Sequence, residues 1–280
     1  MTRPRVPFLV LLFLTALSLF SCASTATVKE QDSVVPQYLS VEELCPPEFE
    51  WTMLEPGFFQ TTFKIKSLGI KYICVKIDLK NPALKIRPGI ATSKKGARVN
   101  KFAHKQKPVL SVNTTPFDVK NYANIVGIVK SEGQILSKAA ESYCALGLKN
   151  TPEGYQAEIL NKQTQDAIEQ FDSAYGGFFQ ILHNGQINYD FTLTRRSRSG
   201  CGISSDKTEL YILVSNSGME LRDQNGLTYP ECALILKAMG CTEGMQFDGG
   251  HSTGLSIYNR QVIRPIIQRK VPAVIEFFTN

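Results

Sequence analysis

Apolar and polar positions alternate in short blocks along most of this chain, the two-residue period of half-buried strands. Phe58–Ile65 and Ile70–Leu79 show it first, with a turn signal between them, and Leu84–Ile90 follows after Asn81-Pro82. Val109–Val112 is a short buried-type run. Further strands are predicted over Ile125–Val129, Tyr143–Leu148, Tyr155–Ile159 and Phe178–Leu182, with turns at Ser131-Glu132-Gly133 and His183-Asn184-Gly185. Leu210–Ser215, Gly244–Phe247, Leu255–Tyr258 and Val274–Phe278 complete the set, with a turn at Asn259-Arg260-Gln261. Two stretches read as helices. Arg98–Lys107 predicts a basic surface helix stopped by Pro108. Thr228 can N-cap a second helix with Glu231 three residues on, Ala233, Leu236 and Met239 forming its apolar stripe and Gly240 its end. Strands dominate and no repeat divides the chain. The expected fold is α+β: one domain, residues 51–280, on a large mixed sheet with a few helices.

The first residues depart from this pattern. Arg3 and Arg5 precede an apolar run from Val6 to Phe20 that is short for a membrane span and ends at Ser21-Cys22. Residues 1–22 therefore predict an export signal. Leu19-Phe20-Ser21-Cys22 resembles a bacterial lipobox, which makes Cys22 the expected lipidation site. An ordinary secretory cleavage nearby is the alternative. Residues 23–50 predict a tether, small and polar at least to Gln37. These readings place the protein in the bacterial cell envelope, exported and held to the membrane through a lipid.

Composition narrows the partners. The formal net charge is +6, of which Arg3 and Arg5 supply two, and a mild excess suits an anionic substrate. Lys94, Lys95, Arg98, Lys101, Lys105 and Lys107 concentrate positive charge with few aromatics among them. A solvated face fits them better than a nucleic-acid platform, so no nucleic-acid partner is expected. Cys45, Cys74, Cys144, Cys201, Cys232 and Cys241 lack metal-type spacing, and their pairing is not readable from sequence. His104, His183 and His251 are scattered. No metal and no cofactor is predicted, although distant Asp or Asn oxygens could still gather Ca²⁺.

The candidate chemistry centres on Phe247-Asp248-Gly249-Gly250-His251-Ser252. An apolar strand delivers a carboxylate into a tight Gly-Gly turn, where a ligand can lie against bare backbone. Asp-Gly-Gly alone is also an ordinary turn. Three other segments keep it company: Val112-Asn113-Thr114-Thr115-Pro116-Phe117-Asp118, Gly176-Gly177-Phe178-Phe179, and Arg198-Ser199-Gly200-Cys201-Gly202. With Gly226-Leu227-Thr228 and Glu231, these segments in this order resemble the phosphodiester glycosidase family from about Trp51 onward. The resemblance implies hydrolysis of a sugar joined through C1 to a phosphodiester, giving free sugar and a phosphomonoester. It implies Asp248 as nucleophile or base and Glu231 as a second carboxylate. Arg198 would clamp the phosphate, and Asn113, Gly177, Gly249, Gly250, His251 and Ser252 would line the substrate. A carbohydrate or glycosyl phosphate is the implied partner.

Each assignment has a plainer rival. Glu231 can serve only as a capping-box acid. Arg198 neighbours Arg195 and Arg196, a common solvated cluster. Asn113 can serve turn chemistry, and Asp118 can bond locally. The chain also departs from the family pattern: His251 stands where a third glycine is expected, and Thr114 and Thr115 replace glycines after Asn113. Bulk at these places leaves two alternatives to the main reading. One is a catalytically silent glycan-binding lipoprotein. The other is a hydrolase of ordinary glycosides.

Overall fold

The computed structural model describes residues 38–279, apart from 103–105, 122–123, 192 and 219–224. The expected signal segment with Cys22, and the tether as far as residue 37, lie outside the described residues, as does His104. The described part belongs to a single compact unit, Pro36–Asn280.

Eighteen strands among the described residues form three sheets. The largest has eight strands, with Ile70–Asp78, Glu209–Ser215, Arg198–Ser204 and Cys241–Gln246 at its centre. A five-stranded sheet gathers Gln134–Ser137, Val129–Ser131, Ser173–Gly176, Ala145–Thr151 and Gly154–Leu160. A second five-stranded sheet gathers Arg260–Ile263, Leu255–Ile257, Leu110–Asn113, Ala273–Thr279 and Leu84–Ile90. The class is the expected strand-rich α+β. The mixed-sheet detail gives way to antiparallel pairing at every named strand pair, because short turns rather than long crossovers join many of the strands.

One core fills the space shared by the sheets. Phe58, Val75 and Ile212 of the large sheet meet Leu146 and Leu148 of the second and Val112, Ile275 and Phe277 of the third. The other face of the large sheet is covered by the helix Tyr229–Ala238, through Cys232, Ala233, Ile235 and Leu236. Thr228 and Glu231 form the predicted capping box at its start. Leu44 and Cys45 join this second core, beside a short capped helix Val41–Leu44. Residues 38–50 therefore pack on the body, and the expected tether is shorter than 23–50, because Leu44 has apolar surface to bury.

Three local expectations are corrected. Arg98–Lys107 is no long helix: its described part has a single 3-10 turn, Val99–Lys101. Val99 and Phe102 are both drawn onto Val271 and Val274, while Ala97 bridges Val271, and this packing overrides helix propensity. The strand expected at Ile125–Val129 begins at Val129, because Gly127 sits at φ 127° and ends the extension before it. The turn near Asn259 falls one residue earlier, with Tyr258 and Asn259 at positive φ. The six cysteines among the described residues are buried free thiols, and burial pushes Cys232 up to about 12.

Candidate active site

The Asp-Gly-Gly turn sits where two sheets meet at one end. Cys241–Gln246 of the large sheet runs into it, and Leu255–Ile257 of the third sheet leaves it. The turn is pinned on all sides by backbone. Asp248 N donates to Thr114 O at 2.8 Å, Phe247 N to Ser199 O at 2.9 Å, and Gly250 N to Ser197 O at 2.8 Å. Gly250 adopts φ 61°, so this is the position that needs glycine. His251 is not at positive φ and sits in the middle of a 3-10 turn, Gly250–Ser252. Its presence in place of a third glycine therefore strains nothing.

Asn113 holds the turn rather than facing a ligand. Its Nδ2 donates to Asp248 O at 2.6 Å, and its Oδ1 accepts from Ser199 Oγ at 2.7 Å and from Gly254 N at 3.0 Å. Three bonds engage the buried amide, which ties three motif segments together. Thr114 and Thr115 are also buried. The Thr115 methyl lies against Gly127 and Gly176, whose missing side chains make its room. Asp118 bonds locally to Lys120 N at 2.8 Å, the plainer of its two expected roles. Gly177 is closely packed by the end of strand Cys241–Gln246. A Cβ there would meet Gln246 O and the Met245 methyl at 2.4 Å.

The second expected acid is tied into the surrounding frame. Glu231 is fully buried, and its carboxylate is taken up by structural partners. Arg195 grips it through two bonds of 2.7 and 2.6 Å, Thr228 N donates at 2.9 Å, and Leu39 N donates at 3.1 Å. These contacts staple the start of the helix to the loop before Arg198 and to the incoming chain.

Arg198 does reach the turn. It opens the central strand Arg198–Ser204, whose residues are all buried. Its Nε donates to Leu227 O at 2.9 Å, Nη2 donates to Thr194 O, and the guanidinium stacks 3.9 Å from the centre of the Tyr229 ring. Nη1 and Cδ border the space beside Gly249, each 3.8 Å from where a side chain would begin. The fixed cation thus lies against the glycine that follows Asp248. Arg269 approaches from the other side, its N donating to His251 O at 2.7 Å.

The electrostatics follow. Burial pushes the Asp248 carboxyl up to about 6, opposed by the Ser252 hydroxyl, the Arg269 charge and Gly249 N–H. Burial also raises the Tyr229 phenol, opposed by Arg198. His251 Nε2 and Thr253 Oγ1 are buried without a hydrogen-bond partner among the described residues. Two orphaned polar groups beside a carboxylate and the Arg198 guanidinium mark a place where a polar ligand completes the bonding. Along one flank, Phe178, Phe179, Phe191 and Tyr229 form a chain of ring contacts 5.1–5.7 Å between centroids.

The structure therefore brings together Asp248, Gly249, Gly250, His251, Ser252 and Arg198, with Asn113 as their clamp. The Glu231 carboxylate is held by its own structural bonds. Sequence reasoning missed Tyr229 and Arg269. Tyr229 had a faint signal, being the residue after the helix cap. Arg269 had none, since only the fold brings its loop to the turn.

Comparison with known proteins identifies a family and a fold. The phosphodiester glycosidase family profile matches residues 106–278. No curated protein matches the sequence. Among solved structures, zebrafish N-acetylglucosamine-1-phosphodiester α-N-acetylglucosaminidase, a catalytic domain auto-inhibited by its pro-peptide, superposes with TM-score 0.65 at 14% identity. That match covers 83% of this chain and 88% of the zebrafish domain. A hypothetical protein from Synechocystis gives TM-score 0.64 at 15% identity over 84% of this chain, and the match spans 64% of its own length. At such identities the likeness to these two structures is one of fold.

Proposed function

We infer activity from kinship: this chain belongs to the phosphodiester glycosidase family, and we propose that it hydrolyses the C1–O bond of a sugar-1-phosphodiester. The bond from C1 to the phosphate oxygen breaks, water supplies hydroxyl to C1, and the water's other proton ends on the phosphate. The products are the free sugar and a phosphomonoester.

One observation carries the reading: a carboxylate at about 6 stands in a glycine turn beside the fixed Arg198 cation, with orphaned polar groups next to it. Positive charge develops at C1 as the bond stretches, and Asp248 serves it as nucleophile or as base toward water. Negative charge stays on the departing phosphate, which Arg198 and Arg269 stabilise. The phosphate is a good leaving group, so a second carboxylate acting as acid is dispensable. That fits the commitment of Glu231 to structural bonds. His251 and Ser252 hold sugar hydroxyls or phosphate oxygens.

We also propose export to the bacterial cell envelope, with Cys22 as the lipid-bearing residue. The charged start, the short apolar run and the lipobox-like end support this.

A panel of sugar-1-phosphodiesters and nitrophenyl glycosides tests the reaction. Release of sugar from the phosphodiesters alone is expected. Release from the simple glycosides alone would refute the reading, as would binding without release. The pH profile carries a sign. The working carboxylate is ionised, so kcat/KM rises as pH climbs through about 6 and levels off above it. A profile that falls across that range would assign Asp248 an acid's role instead.

A further inference from the structure

The basic run singled out in the sequence finds a place once the third sheet is assembled. No Asp or Glu occurs from Leu79 to Phe117, nor from Gly249 to Ile275, although both stretches are rich in Lys and Arg. The fold lays the two stretches side by side. Ala97 N donates to Val271 O at 2.9 Å, Val271 N to Ala97 O at 2.8 Å, and Ala91 N to Pro272 O at 2.8 Å. Gly96 sits so close that a Cβ would meet Val271 O at 2.8 Å. Lys94, Lys95, Arg98 and Lys101, all exposed, therefore stand beside exposed Arg264 and Lys270.

In the midst of this charge, Ile266 and Ile267 project from loop 264–270 with 41% and 54% of their surface exposed. Two adjacent exposed isoleucines are unusual on a surface otherwise given to cations. The loop is not slack. Arg269 N bonds His251 O at one point, Gln268 Nε2 donates to Thr253 O at 3.2 Å, and Val271 packs with Val99, Phe102 and Val274 beneath. The same bonds fix the loop to the turn that carries Asp248.

We propose that this face, loop 264–270 with the basic segment 94–101, docks on an anionic lipid bilayer, Ile266 and Ile267 entering the interface. Paired apolar side chains ringed by Lys and Arg meet the two demands of such a surface, insertion below the headgroups and attraction to their charge. An acidic protein partner would match the cations and leave the isoleucines unexplained. Docking brings the catalytic turn to the membrane, where a sugar phosphodiester borne on a lipid is within reach. The surface acts independently of any lipid on Cys22.

The test is vesicle flotation with the chain beginning at Ala23, which carries no lipid. Vesicles of phosphatidylcholine are compared with vesicles that also contain phosphatidylglycerol. Association with the phosphatidylglycerol vesicles is expected, weakening about tenfold or more in high salt. Ile266→Ser with Ile267→Ser, and separately Lys94→Glu with Lys95→Glu and Lys270→Glu, each reduce it about tenfold or more. Both variants change only exposed side chains, and the second falls mostly on segment 94–101, so loss of fold in one leaves the other to decide. Absence of association overturns the proposal, as does equal binding to both vesicle kinds or binding untouched by the variants. Retention on an acidic polymer without vesicle association also overturns it, in favour of a polyanion partner. Binding is read without turnover, so this result stands apart from the hydrolysis reading.

Discussion

Asp248→Asn lowers turnover of a sugar-1-phosphodiester by about 10³-fold while the protein stays folded. The substitution keeps shape and removes charge. Gly249 N can still donate to the side-chain oxygen as it does to Oδ1 at 3.0 Å, and Asn113 still binds the backbone oxygen of residue 248. Stability near neutral pH is kept or raised. The sign of the linkage supports this. Burial holds the carboxyl at about 6, above its ordinary value of 3.8. Its contribution to stability is therefore full below that ordinary value and lost as pH rises through about 6. A neutral side chain escapes that loss, and the raised value already includes the opposing Arg269 charge, so the variant melts no lower than wild type near neutral pH. Kinetics and thermal melts on the same preparation separate the two effects. Turnover within about threefold of wild type would remove Asp248 from the chemistry.

Glu231→Ala does the reverse. It lowers stability by about 3–5 kcal/mol, a drop in Tm of roughly 6–20 °C, because a buried carboxylate with a bidentate Arg195 partner disappears. Thr228 N and Leu39 N lose their acceptor at the same time. The folded fraction, assayed well below its Tm, keeps kcat within about threefold. A loss of about 10² or more in kcat with an unchanged melt would restore Glu231 as a reacting acid.

These two residues mark what the sequence made legible. The Thr228–Glu231 capping box was readable because its bonds are local, three residues apart, and its spacing alone fixes them. The same spacing could not tell a cap from a catalyst, since the answer lay with Arg195 and Leu39, brought in by tertiary packing. The hairpins at Glu132-Gly133 and Asn184-Gly185 were readable for a similar reason, their positive φ values demanding those residue types. Arg198–Ser204 was recognised as a motif and not as a strand. Gly200 and Gly202 weaken a strand signal, yet both are needed where Met245 O and Cys241 Sγ press close. The basic segment near Arg98 misread as a helix because its two apolar residues, Val99 and Phe102, answer to Val271 and Val274 far along the chain.

The clearest trial of the account is hydrolysis of a sugar-1-phosphodiester in ¹⁸O-labelled water. Attack at C1 puts the label on the sugar hydroxyl and none in the phosphomonoester, and Asp248→Asn abolishes the labelled sugar. Label in the phosphate would mean that the P–O bond breaks, and the reaction assigned to this turn would be contradicted.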